Sequence, residues 1–278
     1  MKTGKLIFLD IDGTLISPGQ NVPPESALNA IRAARSRGHR VFLCTGRNRS
    51  MTAPVMAYGF DGAIMSAGGL IVRGDSVIYD RPMSNTDRDD LLRALEEGGA
   101  FPILEARDAA YADGQFQDFV EKAGNTGSES GSEARRWKTA LEKDLGVLPI
   151  SRYQGEPVYK ITFACLDERQ LDPAKARILD RFNLCLQSLF PTFVLGEFIH
   201  RDFDKGRAIR KVCESLGVPV ADTIGFGDSM NDLEMIETAG IGVCMDNGDP
   251  ALKARADMIC PCVEEDGLAA AFERLELI

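Results

Sequence analysis

Lys5-Leu6-Ile7-Phe8-Leu9-Asp10-Ile11-Asp12-Gly13-Thr14 is the stretch that decides how this chain folds. Leu6 to Leu9 is a short unbroken apolar run, which predicts a strand buried on both faces of a parallel sheet. Asp10 then stands at the strand's carboxyl end, the edge at which open α/β sheets bind ligands. Side chains of an extended segment repeat every second residue, so Asp10 and Asp12 can face one side, and Gly13 permits a sharp turn behind them. Two carboxylates so close repel unless a cation or a shared proton intervenes. That arrangement suits one to nucleophilic attack and the other to acid chemistry. Alone, the string is also compatible with a solvated turn.

Three later strings extend the pattern. Val41-Phe42-Leu43-Cys44 is a second buried-strand run and ends in Thr45-Gly46-Arg47, which offers a hydroxyl and backbone donors at the same sheet edge. Thr223 to Gly227 is another, ending in Asp228 with Asn231 and Asp232 close behind, oxygen ligands that suit a hard cation. A helix N-cap with acids in its first turn is the plainer alternative there. Lys205 opens an amphipathic helix whose apolar face is Ile209, Val212, Cys213 and Leu216; by itself it reads more readily as a solvated first-turn lysine.

In this order, with a long insertion between the second string and Asp204-Lys205-Gly206, the strings resemble the haloacid dehalogenase superfamily of phosphohydrolases, and within it the Cof-type branch. Gly240 to Asn247, Lys253, Ala256-Asp257 and Glu265-Asp266-Gly267 look like that branch's tail. The resemblance implies an α/β fold: a Rossmann-like three-layer parallel-sheet core of residues 1–83 and 196–278, with an inserted α+β cap of residues 84–195. It implies that Asp10 is the nucleophile, forming an aspartyl-phosphate, and that Asp12 is the general acid and base. Mg²⁺ would be held by Asp10, Asp228 and the backbone carbonyl of Asp12, with Asn231 and Asp232 orienting waters or Lys205. Thr14, Thr45, Gly46, Arg47 and Lys205 would hold the phosphate, and Asn247 would lie near it. One departure is Ser66-Ala67-Gly68-Gly69, where the branch commonly carries Asn-Gly-Ala; Ala67 has no side-chain hydrogen bond to offer.

Composition is consistent with this reading. A chain of 278 residues that is 44% hydrophobic can bury a full core and accommodate two domains. It has no apolar run of about 18 residues and no long apolar leader, so a cytoplasmic protein is expected. Seven cysteines, an odd number without metal-finger spacing, fit reduced thiols. His39 and His200 are too far apart to suggest a metal site. The net charge of −10 argues against a nucleic-acid polymer or an anionic membrane as partner. Bulk repulsion of a phosphate is screened beyond about 10 Å, so Lys205, Arg47 and a divalent metal must offset its charge locally.

Helices are expected at 24–37, 50–58, 87–97 and 173–182, and strands at 61–65, 101–104, 158–165 and 184–189, with a hairpin around Gly74-Asp75. The Gly/Ser-rich stretch 124–132 reads as a mobile loop on the insertion. Polar candidates there for leaving-group contacts are Arg107, Asp113, Lys160 and Glu197. The expected substrate is a small phosphorylated metabolite, a sugar phosphate first and a nucleotide or cofactor phosphate next, for a monomer or small homo-oligomer. A non-catalytic phosphometabolite-binding protein and a phosphotransferase are the alternatives.

Overall fold

The computed structural model describes residues 4–17, 20, 22–114, 116, 147–190 and 193–278, so the stretch 124–132 lies outside the described residues. The chain divides into two compact units: Met1–Arg47, Thr52–Asp80 and Phe203–Ile278 form the first, and Asn48–Met51 with Arg81–Asp202 the second.

Along the chain, β1 (Leu6–Leu9), α1 (Glu25–Ser36), β2 (Arg40–Cys44), α2 (Arg49–Met56) and β3 (Gly62–Met65) precede a hairpin of β4 (Leu70–Arg73) and β5 (Ser76–Asp80). The second unit follows, with α3 (Asn85–Gly98), β6 (Phe101–Ala106), β7 (Ala110–Ala112), β8 (Val147–Pro149), β9 (Val158–Cys165), α4 (Asp172–Ile178), β10 (Phe182–Phe190) and β11 (Phe193–His200). The chain closes with α5 (Lys205–Leu216), β12 (Thr223–Gly227), α6 (Leu233–Thr238), β13 (Ile241–Met245), α7 (Pro250–Lys253), β14 (Met258–Cys260) and α8 (Gly267–Arg274).

The first sheet runs β14-β13-β12-β1-β2-β3-β4-β5. It is parallel from β14 to β3, and the hairpin joins it antiparallel. β1 lies mid-sheet with every residue buried, which is why its sequence is an unbroken apolar run. Leu6 and Phe8 pack with Phe42, Ile209 and Val212 on the α5 face. The register pairs Leu9 with Phe226 on the opposite face, where Phe226 meets Phe272 of α8 with ring centroids 5.5 Å apart. Helices on both faces of a parallel sheet make the three-layer α/β core.

The second sheet runs β10-β11-β9-β6-β7-β8 and is antiparallel except at β7–β8. One face packs on α3 and α4 through Leu91, Leu95, Ile178, Leu104, Ile161, Phe163 and Phe198. Three segments differ from expectation. Asn48–Met51, placed by sequence with the core, groups with the second unit. Residues 196–202, placed by sequence with the core, belong to the second unit because β11 stays laddered to β9 through Ile199 and to β10 through His200. Residues 81–83 also belong there: the Met83 amide donates to the Val158 carbonyl at 2.7 Å, and its side chain joins that unit's core.

Candidate active site

The segments after the carboxyl ends of β1, β2, β12 and β13 and the first turn of α5 carry the predicted residues. Parallel pairing of β1 with both β2 and β12 brings their ends to one edge, so Asp10, Thr45 and Asp228 converge although up to 218 positions separate them. The Asp10 amide donates to the Phe226 carbonyl at 3.0 Å, extending the ladder by one step.

Lys205 is the hub. It is 2% exposed, so the solvated-lysine alternative is excluded. Its Nζ donates to Asp10 Oδ1 at 2.6 Å, to Asp232 Oδ1 at 2.5 Å and weakly to Asn231 Oδ1 at 3.5 Å. Asp232 Oδ2 accepts from the Asp228 and Ser229 amides at 3.0 and 3.1 Å. Both Asp232 oxygens are therefore engaged with the protein, which fits the expected role of holding Lys205. Thr14 Oγ1 donates to Asp228 Oδ1 at 3.1 Å, and Asn247 Nδ2 donates to the Gly13 carbonyl at 3.0 Å. Thr14 and Asn247 thus brace the loop and Asp228.

Asp12 and Arg47 form a separate buried pair. Arg47 Nε and Nη2 donate to the two Asp12 oxygens at 2.9 and 2.6 Å, a bidentate clamp that sequence spacing does not reveal. The Arg47 amide donates to Thr45 Oγ1 at 3.1 Å, so the Thr45 hydroxyl proton is left for another acceptor. Gly46 is buried at the same turn.

Charge balance bears directly on the metal. Asp10, Asp228 and Asp232 each offer an oxygen within 4.8 Å of the others, and all three are buried. Three carboxylates against one ammonium leave two negative charges, the amount a divalent cation offsets, and hard oxygen donors suit Mg²⁺ chemistry. Without a cation, burial pushes the Asp10 carboxyl up to about 8, with Lys205 opposing and Asp232 and Asp12 reinforcing the rise. Burial, then Asp10 and Asp232, push Asp228 well up too. Burial disfavours the Lys205 charge, yet Asp10 and Asp232 hold its pKa well above the usual lysine value.

Gly13 has φ +89°, and a Cβ there would lie 2.3 Å from Asp228 Oδ2. Gly13→Ala is therefore expected to cost about 1–3 kcal/mol in urea unfolding through strain at this φ, and to weaken divalent-cation binding by displacing Asp228. Unchanged cation affinity would show that the loop relaxes.

The polar candidates of the second unit lie apart from solvent or in local contacts. Arg107 Nε donates to the Tyr159 hydroxyl at 3.1 Å, and Asp113 accepts from the Phe116 amide at 3.0 Å. Lys160 and Glu197 form a buried ion pair at 2.5 Å, with Glu105 Oε1 at 3.3 Å from the same ammonium. Sequence periodicity missed Glu105, whose carboxylate sits in an otherwise ordinary strand.

A parallel α/β sheet that gathers buried acids, a lysine and a hydroxyl at its carboxyl edge defines a phosphoryl-transfer class of enzyme. The chain belongs to the haloacid dehalogenase-like hydrolases: the model of that family matches residues 7–272. Within the family it is a phosphoric monoester hydrolase acting on small phosphorylated metabolites. It is 31% identical over 275 residues to a Bacillus subtilis protein named "Putative phosphatase YkrA", covering 99% of this chain and 98% of that one. It is 26% identical over 271 residues to the Escherichia coli pyridoxal phosphate phosphatase YbhA, with 96% and 97% covered. Among solved structures, the haloacid dehalogenase subclass IIB sugar phosphatase BT4131 superposes with a TM-score of 0.76 at 21% identity, over 99% of this chain and 100% of that one. That likeness concerns the fold. Among the described residues no helix is long and apolar enough to cross a membrane.

Proposed function

We propose that this enzyme hydrolyses a sugar phosphate or a similar small phosphate ester through a covalent Asp10 intermediate, with Mg²⁺ bound at Asp10 and Asp228. The observation that carries the reading is the Asp10 carboxylate, buried, bonded to Lys205 and clustered with two further acids. An Asp10 oxygen attacks phosphorus while the bond to the leaving oxygen breaks, and Asp12 protonates that oxygen. Water then attacks the phosphorus of the aspartyl-phosphate, gives its proton to Asp12 and releases inorganic phosphate, restoring Asp10.

Each neighbour has a physical task in this sequence. Arg47 orients Asp12, and one of its two bonds to Asp12 must open for the proton to move. Lys205, held cationic between Asp10 and Asp232, offsets charge on the phosphoryl oxygens. Thr45 donates its free hydroxyl proton to one of those oxygens. Mg²⁺, when bound, supplies the positive charge that lets Asp10 ionise beside Asp228 and the phosphate. The pyridoxal phosphate phosphatase among the relatives supports a small phosphate ester as substrate and keeps cofactor phosphates beside the sugar phosphates.

Phosphate release from sugar phosphates, nucleotides and pyridoxal phosphate, each with and without Mg²⁺, is the direct measurement. Metal-dependent release, highest for a sugar phosphate, is expected. Tight ester binding without release would favour the non-catalytic alternative, and transfer to an acceptor other than water the phosphotransferase.

A stability prediction comes from the same charges. Folding raises the Asp10 pKa from 3.8 to about 8. A raised carboxyl means that the folded state holds the proton more tightly. Its contribution is therefore full below the unfolded value and is lost as pH rises through about 8. In chelator, the melting temperature is expected to fall from pH 5 to pH 8 by more in wild type than in Asp10→Asn. Mg²⁺ at about 100 times its Kd should restore about 2.7 kcal/mol. A flat difference between the two proteins across that window would contradict the proposed charge balance.

A further inference from the structure

The turn after β3 is strained. Ser66, Ala67 and Gly68 take positive φ in succession, 49°, 55° and 107°, a region that residues with side chains rarely enter. The turn is also firmly held. The Ser66 amide donates to the Arg47 carbonyl at 2.9 Å and the Ala67 amide to the Thr45 carbonyl at 3.3 Å. Gly68 lies so near the start of α5 that a Cβ on it would sit 2.9 Å from the Asp204 carbonyl oxygen. The turn is thus wedged between the Thr45–Arg47 segment and the residue preceding Lys205, two walls of the active site.

Within it, Ser66 is 1% exposed and its Oγ has no hydrogen-bond partner among the described residues. A buried hydroxyl left unpaired opposes folding, and so does the backbone that carries it. Both costs fall on one residue beside the reactive groups. An alanine would fill the same space without the unpaired oxygen.

We propose that Ser66 is a substrate-binding residue, whose hydroxyl donates a hydrogen bond to an oxygen of the bound phosphate ester. This rests on the phosphatase reading. The acceptor is a phosphoryl oxygen or the leaving-group oxygen, both of which present lone pairs to a neutral donor. The amide bonds of Ser66 to the Arg47 carbonyl and of Ala67 to the Thr45 carbonyl keep the hydroxyl in place before substrate arrives.

The experiment is steady-state hydrolysis of p-nitrophenyl phosphate and a hexose 6-phosphate with Mg²⁺, by wild type, Ser66→Ala and Ala67→Gly, alongside thermal unfolding. Ser66→Ala is expected to raise KM about tenfold, the loss of one hydrogen bond to substrate, with a melting temperature no lower than wild type. Ala67→Gly eases the backbone but keeps the hydroxyl, and its KM should stay within about twofold of wild type. Inhibition by inorganic phosphate separates the two acceptors: weakened in step with KM, it marks a phosphoryl oxygen; unchanged, the leaving-group oxygen. The proposal is overturned if Ser66→Ala leaves KM within twofold on both esters, or if Ala67→Gly raises it equally. Wild-type turnover tests the phosphatase reading and the variant-to-wild-type ratio tests Ser66, so the two fail separately.

Discussion

Asp10→Asn is expected to lower metal-dependent phosphate release by at least about 10³-fold, roughly 4 kcal/mol of barrier, while the fold stays intact. An amide oxygen is a poor nucleophile toward phosphorus, and no neighbour offers a replacement. Asp12 is held by both its oxygens on Arg47, Asp232 is engaged through both of its own, and Asp228 is braced by Thr14. The substitution keeps the side chain's shape but removes one of three clustered carboxylates, and so reduces the repulsion that burial intensifies. Loss of turnover should therefore accompany an unchanged or higher melting temperature in chelator at pH 8. Quenched-flow capture of an acid-stable phosphoenzyme in wild type and not in the variant is the companion measurement. Turnover by the variant within tenfold of wild type would remove Asp10 from the covalent role.

Lys160→Met is expected to cost about 3–5 kcal/mol of folding stability. Lys160 is 1% exposed and Glu105 fully buried, and Glu197 is only 4% exposed. Register explains how they meet: Glu105 lies opposite Lys160, and Glu197 opposite Thr162, on three adjacent strands. The four side chains share one sheet face, Thr162 Oγ1 donating to Glu105 Oε1 at 2.5 Å, while Glu105 Oε2 has no hydrogen-bond partner among the described residues. Methionine matches the length of lysine but leaves two carboxylates buried without their cation. Removing one partner of a buried ion group costs far more than replacing the whole group by apolar residues, which is often neutral or stabilising. Urea unfolding of Lys160→Met beside the triple variant Glu105→Leu, Lys160→Met, Glu197→Leu measures both terms. A single-variant loss below about 1 kcal/mol would mean that the carboxylates are neutralised without Lys160.

Much of the first unit was readable along the chain because its signals are local. Buried parallel strands need apolar residues on both faces, so β1, β2 and β12 stand out as continuous runs, and α5 starts where expected. The end of β11 was not readable, since alternating Gly196, Glu197 and Phe198 could open a core strand as easily as continue an antiparallel one. Only its ladder to β9 and β10 distinguishes the two. Ser66 was equally silent: a serine has no composition signal for φ 49° or for an unpaired hydroxyl.

By itself, the sequence determined that acids, a hydroxyl and a lysine stand at strand ends and a helix start, because apolar runs and helical periodicity report burial within a few residues. It also determined the family, through strings whose order survives the insertion. Tertiary structure alone decided who meets whom. Packing of α5 on the sheet brings Lys205 to Asp10 across 195 positions, and the parallel pairing of β1 with β2 brings Asp12 to Arg47 across 35. Those pairings, and the two negative charges they leave for a divalent cation, depend on how strand ends align in space. No short-range pattern encodes that alignment, because the pairing energy arises only once the sheet has formed.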